Sequence, residues 1–192
     1  MSGQPLCQPR LAARPLRRGE QAITRPNAAV KQKSDLLEGG LRVPTIVRWP
    51  NRVPAGSTSD QVMITMDWYP TLLSVAGGAP DARFPSDGMD LTDQLLGGGA
   101  KERTLFWRHM HLDQEACRHG DYKYLKILDN TFLFNIVEDP RERANLKARL
   151  PDLFTLLQDK YQAWNASVLP VDPSAVSRVL PGFVLAEHFG VR

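Results

Sequence analysis

The chain has 192 residues, near the usual size of one compact domain and long enough to bury a sizeable core. Its apolar fraction of 42% and charged fraction of 23% are those of an ordinary globular protein, and no apolar run approaches the roughly 20 residues that span a bilayer, which excludes a membrane-spanning chain. The net charge of +3 is small and uneven: Arg10, Arg14, Arg17, Arg18 and Arg25 crowd the start, with no aromatic residue interleaved to stack bases, so the composition argues against a nucleic-acid partner.

In chain order, residues 1–26 read as an irregular basic leader, without the continuous apolar core of a secretory signal because Pro5, Pro9 and Pro15 and several charges interrupt it. The compartment is therefore undetermined. Cys7 and Cys117 make no disulfide framework, and no Cys/His spacing suggests zinc. Residues 27–99 form the next unit. Within it Val43–Trp49 (VPTIVRW) is a β-rich apolar run bounded by Gly40 and Pro50, as expected of a buried strand, and Gln61–Thr65 is a second, short strand candidate. A helix follows, with Asp67 as its capping residue, Pro70 in its first turn, Leu72, Leu73 and Ala76 on one face, and Gly77 as its left-handed stop.

Residues 100–169 read as an antiparallel unit. Thr104–Arg108, Tyr122–Leu128 and Thr131–Ile136 are strand candidates, the last two joined at Asp129-Asn130 as a hairpin in a sheet covered on one side. Pro151 then opens a helix whose Leu153, Leu157 and Tyr161 stack at a spacing of four, a natural cover for that sheet. Residues 170–192 form a proline-bearing tail.

The chemistry-bearing residues are few. His109 and His111 alternate along an extended segment and would share a side if the strand from Thr104 continued, but such a pair without a third ligand is weak evidence for a metal. Asp87, Asp90, Asp93, Asp113 and Glu115 lie near turns, without the spacing of a calcium loop. Neither a GxSxG nucleophile elbow nor a GxxxxGK[ST] phosphate loop is present. Asn165-Ala166-Ser167 matches the N-glycosylation pattern, one short enough to arise by chance.

Longer motifs are more specific. KSDLLEGGLRVPTIVRWPNRVPAG, from Lys33, closely resembles the KxxxxEGGxRVPxIVRWPxxxPAG block of sulfatases, and MDWYPTLLSVAGG, DGMDL, TLFWR, CRHGDYKYL and LFNIVEDPRERANL follow in the family's order. The resemblance runs from about Lys31 to Trp164. It implies an α/β fold: the end of an alkaline-phosphatase-like layered domain, then a small antiparallel sheet with a packed carboxy-terminal helix. It also implies that Lys33 binds the sulfate group of a sulfate ester, that Glu38, Gly39, Gly40 and Arg42 are structural, with Glu38 and Arg42 as a possible ion pair, and that His109 or His111 lines a substrate pocket.

The family's nucleophile is a formylglycine made from the cysteine of a CxPxR motif, assisted by calcium held by Asp and Asn side chains. Cys7-Gln8-Pro9-Arg10 departs from that motif by one place, and the acidic stretch expected ahead of the lysine is replaced by RRGEQAITRPNAAV. No catalytic or metal-ligating residue is assigned, and the resemblance implies the carboxy-terminal part of a sulfatase, inactive alone, as a truncated gene, a fragment or a frameshifted start would produce. A phosphodiesterase or phosphonate hydrolase of the same superfamily and a non-catalytic interaction module are the alternatives. A lone strand at Val43–Trp49 would leave apolar surface exposed, which points to self-association.

Overall fold

The computed structural model describes residues 36–172. The leader with Lys33 and Cys7, and the tail from residue 173, lie outside them. Two parts of the sequence expectation differ at once. Val43–Trp49 forms no strand and belongs to no ladder, and Val43 and Ile46 are 73% and 92% exposed. Gln61–Thr65 is likewise no strand: the chain runs as coil into a single 3₁₀ turn at Thr65–Asp67. A strand persists only where a neighbour takes up its backbone N–H and C=O groups, and among the described residues neither segment has one.

The sheet that does form has four antiparallel strands in the order β1-β2-β3-β4: β1 Thr104–His109, β2 Gln114–His119, β3 Tyr122–Ile127 and β4 Asn130–Asn135. Register pairs Leu105 with Arg118, Arg118 with Lys123, and Lys123 with Phe134. Strand β2 (QEACRH) was not foreseen, because it carries only small or polar residues where a strand signal needs β-branched and aromatic ones. The β3–β4 turn falls at Leu128-Asp129, one residue earlier than expected, with Leu128 in the left-handed region at φ 52°.

Both faces of the sheet are covered, not one. Cys117, Tyr124 and Leu133 face helix α4 (Pro151–Ser167), meeting Leu157 and Tyr161 as the spacing of four requires. Phe106 stacks on Trp164 of that helix at 5.2 Å between ring centroids. Ala116, Leu125, Ile127 and Phe134 point the other way, onto Leu36 and Leu37. The cover of that second face comes from the turn leading into helix α1 (Glu38–Leu41), far away in sequence, so local pattern cannot reveal it.

Helix α2 (Trp68–Val75) ends as the sequence expects. Gly77 is left-handed at φ 79°, its N–H bonds the carbonyl of Ser74, and the N–H of Gly78 bonds that of Leu73, which together satisfy the orphan carbonyls of the last turn. Its start is different. Asp67 precedes the helix, but its side chain makes no cap bond to it. The buried carboxylate instead accepts the N–H groups of Ile64 at 2.7 Å and Met89 at 2.8 Å and pairs with Arg103 at 2.5 Å, tying three loops together. A Cβ on Gly88 would lie 2.1 Å from the carbonyl oxygen of Met66, so only glycine lets these loops approach. The helix face foreseen as apolar also turns over: Thr71 is buried, bonded to the N–H of Leu91 ahead of helix α3 (Thr92–Leu95), while Leu72 is exposed.

Candidate functional site

The turn Leu36–Arg42, which carries the Glu-Gly-Gly sequence, is held to the sheet by side chains from three separate segments. Gln114, at the start of β2 and 1% exposed, accepts the N–H of Leu36 on its side-chain oxygen at 2.9 Å. Glu142, in the loop after β4 and fully buried, accepts the N–H of Glu38 at 2.7 Å. Lys123 of β3, also fully buried, places its Nζ 2.8 Å from Glu38 Oε1 and 2.6 Å from Glu142 Oε1. Two carboxylates thus flank one ammonium where water does not reach. With one ammonium between two carboxylates the balance depends on Lys123, whose removal would leave two buried carboxylates without their counter-charge.

The loop supplying Glu142 is stiffened by its own sequence. Asp139 Oδ2 accepts the N–H groups of Arg143 and Ala144 at 2.6 and 2.8 Å, and Asn145 Oδ1 accepts that of Leu133, which returns the chain to β4. Glu142 itself is left-handed at φ 54°, an uncommon conformation for a residue with a side chain. The motif EDPRERANL is therefore a bracket that presents one buried carboxylate.

The structural roles assigned to Glu38 and Arg42 change in one respect. Glu38 pairs with Lys123 and not with Arg42, whose side chain is exposed while its backbone N–H donates to the carbonyl of Glu38 at 2.8 Å. Gly39 is exposed and Gly40 half-buried within the turn. Lys33 lies outside the described residues, three positions before Leu36. His109 and His111 do not share one strand side: β1 ends at His109, and His111 sits in a 3₁₀ turn broken by Leu112 and Asp113 at positive φ. His109 is the register partner of Gln114, and so stands beside the point where the chain enters at Leu36. From there it is roughly 13 Å along the strands to the level of Lys123, four residues at about 3.3 Å each.

Sequence reasoning missed Lys123, Gln114 and Glu142. Lys123 carried one signal, an inward position between Tyr122 and Tyr124 on a strand whose other inward residues are apolar, but a lysine there reads as solvated until its two carboxylates are known.

Other candidate groups are occupied elsewhere. Cys117 is buried, and desolvation pushes its thiol up to about 12, which keeps it protonated and unreactive at neutral pH. His119 lies between Thr104, 2.9 Å away, and Glu102, 3.3 Å away. Asn165 of the glycosylation pattern is half-buried on α4, its side-chain oxygen accepting from Arg108 at 3.0 Å. Among the described residues no three His, Cys, Asp or Glu side chains converge as metal ligands.

Comparison with known proteins bears on what this arrangement belongs to. No family model matches the chain. It is 33% identical over 170 residues to arylsulfatase A of Bos taurus, covering 82% of this chain and 32% of that protein. It is 44% identical over 75 residues to N-acetylgalactosamine-6-sulfatase of Canis lupus familiaris, covering 39% of this chain and 14% of that one. The chain is a sulfatase homologue. The structure described as Ps i-CgsB superposes with a TM-score of 0.59 at 26% identity, over 66% of this chain and 29% of the other. The resemblance read from the motifs is thus met by sulfatases on both sequence and fold, and its neighbours are sulfatases of the alkaline-phosphatase-like fold. This sulfatase homologue spans about a third or less of the length of those relatives.

Proposed function

We propose that this chain is the carboxy-terminal part of a sulfatase and that Lys33 binds the sulfate group of an aryl or carbohydrate sulfate ester. The observation that supports the reading is the anchoring of the turn just after Lys33: Leu36 and Glu38 are held by buried side chains, and His109 stands beside the entry point. An ammonium beside an anionic ester offers it a positive charge. It stabilises charge developing on the leaving oxygen without reorganising during the reaction. His109, and His111 in the turn that follows, would line the same cleft. Likeness to proteins named arylsulfatase A and N-acetylgalactosamine-6-sulfatase supports both an aryl and a sugar sulfate.

In the complete family protein, formylglycine would supply the attacking oxygen and calcium would neutralise the sulfate. Our reading is that the chain alone binds a sulfate ester without turning it over. The test is an assay with a chromogenic aryl sulfate and added calcium, run beside a sulfate titration monitored at the lysine side-chain nitrogens. No turnover is expected, with a sulfate-dependent shift at one lysine that disappears in Lys33→Ala. Robust turnover, or a shift that survives in Lys33→Ala, sinks the reading.

The exposed apolar residues on the amino-terminal side of the fold support a second property. Val43, Ile46, Met66, Tyr69 and Leu72 are all exposed, and Val43–Trp49 has no ladder partner among the described residues. Such a surface drives copies of the chain together.

A further inference from the structure

We infer that Gly99-Ala100 is a hinge and Lys101–Arg103 is its lock: polar contacts hold the part of the chain carrying α2 and α3 against the sheet, and their release lets it swing as one body.

That part, residues 61–99, is tied together internally. Asp67 Oδ1 accepts the N–H of Met89 at 2.8 Å. The Thr71 hydroxyl accepts the N–H of Leu91 at 3.0 Å and donates to the carbonyl of Asp67 at 2.6 Å. Gly88 passes so close to the backbone of Met66 that a Cβ has no room. Helix α2, the turn before it and the chain entering α3 therefore move together.

Its attachment to the sheet is of another kind. No residue between Gln61 and Gly99 belongs to either apolar cluster of the sheet, so the sheet's core does not extend into this part and directional polar contacts orient it. These contacts fall on three consecutive residues ahead of β1. The Gln61 side chain accepts the N–H of Lys101 at 2.7 Å and donates to its carbonyl at 3.3 Å. Asp67 Oδ2 pairs with Arg103 at 2.5 Å, the carboxylate fully buried and the guanidinium 12% exposed. Glu102, between them, reaches the other way, to His119 of β2 at 3.3 Å. One tripeptide thus holds both bodies. A carboxylate taken out of water without a cation is costly, so Arg103 keeps the joint closed.

Just upstream the backbone is soft. Gly97 and Gly98 close α3 by donating to the carbonyls of Gln94 and Asp93. The carbonyl of Gly99 accepts from Gln94 Nε2 at 3.1 Å, but a side chain added at Gly99 would meet nothing within 4 Å, and Ala100 after it is exposed. A glycine in open space turns at little steric cost, and a hinge needs only a few such dihedrals. The part it would swing carries the exposed side chains of Tyr69 and Leu72, so the lock also fixes how that apolar face is presented.

The experiment measures residual dipolar couplings of backbone amides in the full chain, below the concentration at which copies associate. In the wild type one alignment tensor is expected to fit α2 and the four strands together. In Gln61→Met combined with Arg103→Met, and in Gln61→Met combined with Asp67→Asn, that common alignment is lost. Helix α2 and the sheet then each need their own tensor, while the amides of Leu72 and Val75 keep their exchange protection. The second combination leaves no buried carboxylate without a cation, so it tests the swing even where the first melts α2. Arg83→Ala breaks an exposed ion pair with Asp81 inside the same part, and one shared tensor is expected for it.

One shared tensor in both double variants overturns the hinge, as do separate tensors in the wild type or in Arg83→Ala. Loss of protection at Leu72 and Val75 in both double variants overturns it too, because the contacts would then keep α2 folded and not aimed.

Discussion

Lys123 shows how little a residue's type says when its partners are far away in sequence. Read along β3 it is a charge between two tyrosines; in the fold it is fully buried between two carboxylates, in register with Phe134 of the neighbouring strand. Asp67 makes the same point in reverse. Its position before α2 is legible as a cap, yet its oxygens serve Ile64, Met89 and Arg103. Cys117 gives a pH signature of the buried sheet face. Its thiol is raised from about 9 to about 12 by desolvation, so below about pH 9 the folded and unfolded states both keep the proton and no stability depends on it. Above that, the unfolded chain loses a proton the folded chain retains, and stability falls by about 1.4 kcal/mol per pH unit. Tyr124 and Tyr161 are raised chiefly by burial too and add the same trend at higher pH. Urea midpoints are therefore expected to fall steadily above pH 9, and Cys117→Ala should flatten the curve between pH 9 and 10, before tyrosine ionisation enters. Identical curves for the two proteins would remove Cys117 from the account.

Among the elements, those whose signal is local were legible and those that depend on a partner were not. Helix α4 announces itself through Pro151 and the stripe Leu153, Leu157, Tyr161, and β1, β3 and β4 through aromatic and β-branched residues. Strand β2 was invisible because neighbours on both sides hold it, whatever its own propensity. Val43–Trp49 fails in the opposite sense: its residues suit a strand, but a strand is a relation between two segments. The Glu-Gly-Gly turn was legible only as a motif, since the residues that fix it come from β2, β3 and the loop after β4. Packing at α4 can be separated from helix propensity by two neighbouring leucines. Leu157 is fully buried against Cys117 and Tyr124, whereas Leu156 is 48% exposed. Leu157→Ala should cost about 2–5 kcal/mol of unfolding free energy through lost burial and a cavity, and Leu156→Ala about 0.5 kcal/mol or less. Chemical denaturation of both variants tests this, and similar losses would mean that α4 is held by something other than its inward stripe.

At the scale of the whole molecule, the described fold is finished on one side and open on the other. The carboxy-terminal sheet has both faces covered, by α4 and by the turn at Leu36 and Leu37, and its core residues are nearly inaccessible. The stretch from Val43 to Val75 is the contrast: Ile46, Tyr69 and Leu72 expose apolar area that no described element shields, Tyr69 and Leu72 standing three residues apart on α2 and Met66 exposed in the 3₁₀ turn before it. Apolar area costs about 25 cal/mol per Å² when left in water, so two copies gain by covering these surfaces together. The proposed self-association then has a definite locus. Sedimentation at rising protein concentration should show association for the wild type, and Ile46→Lys combined with Leu72→Lys should return the chain towards a monomer. Both positions are already exposed, so the substitutions bury no charge, and the urea midpoint should stay within about 0.5 kcal/mol of wild type. Association that persists undiminished in the double variant would place the contact elsewhere, and a strictly monomeric wild type would mean that this open face is tolerated in water.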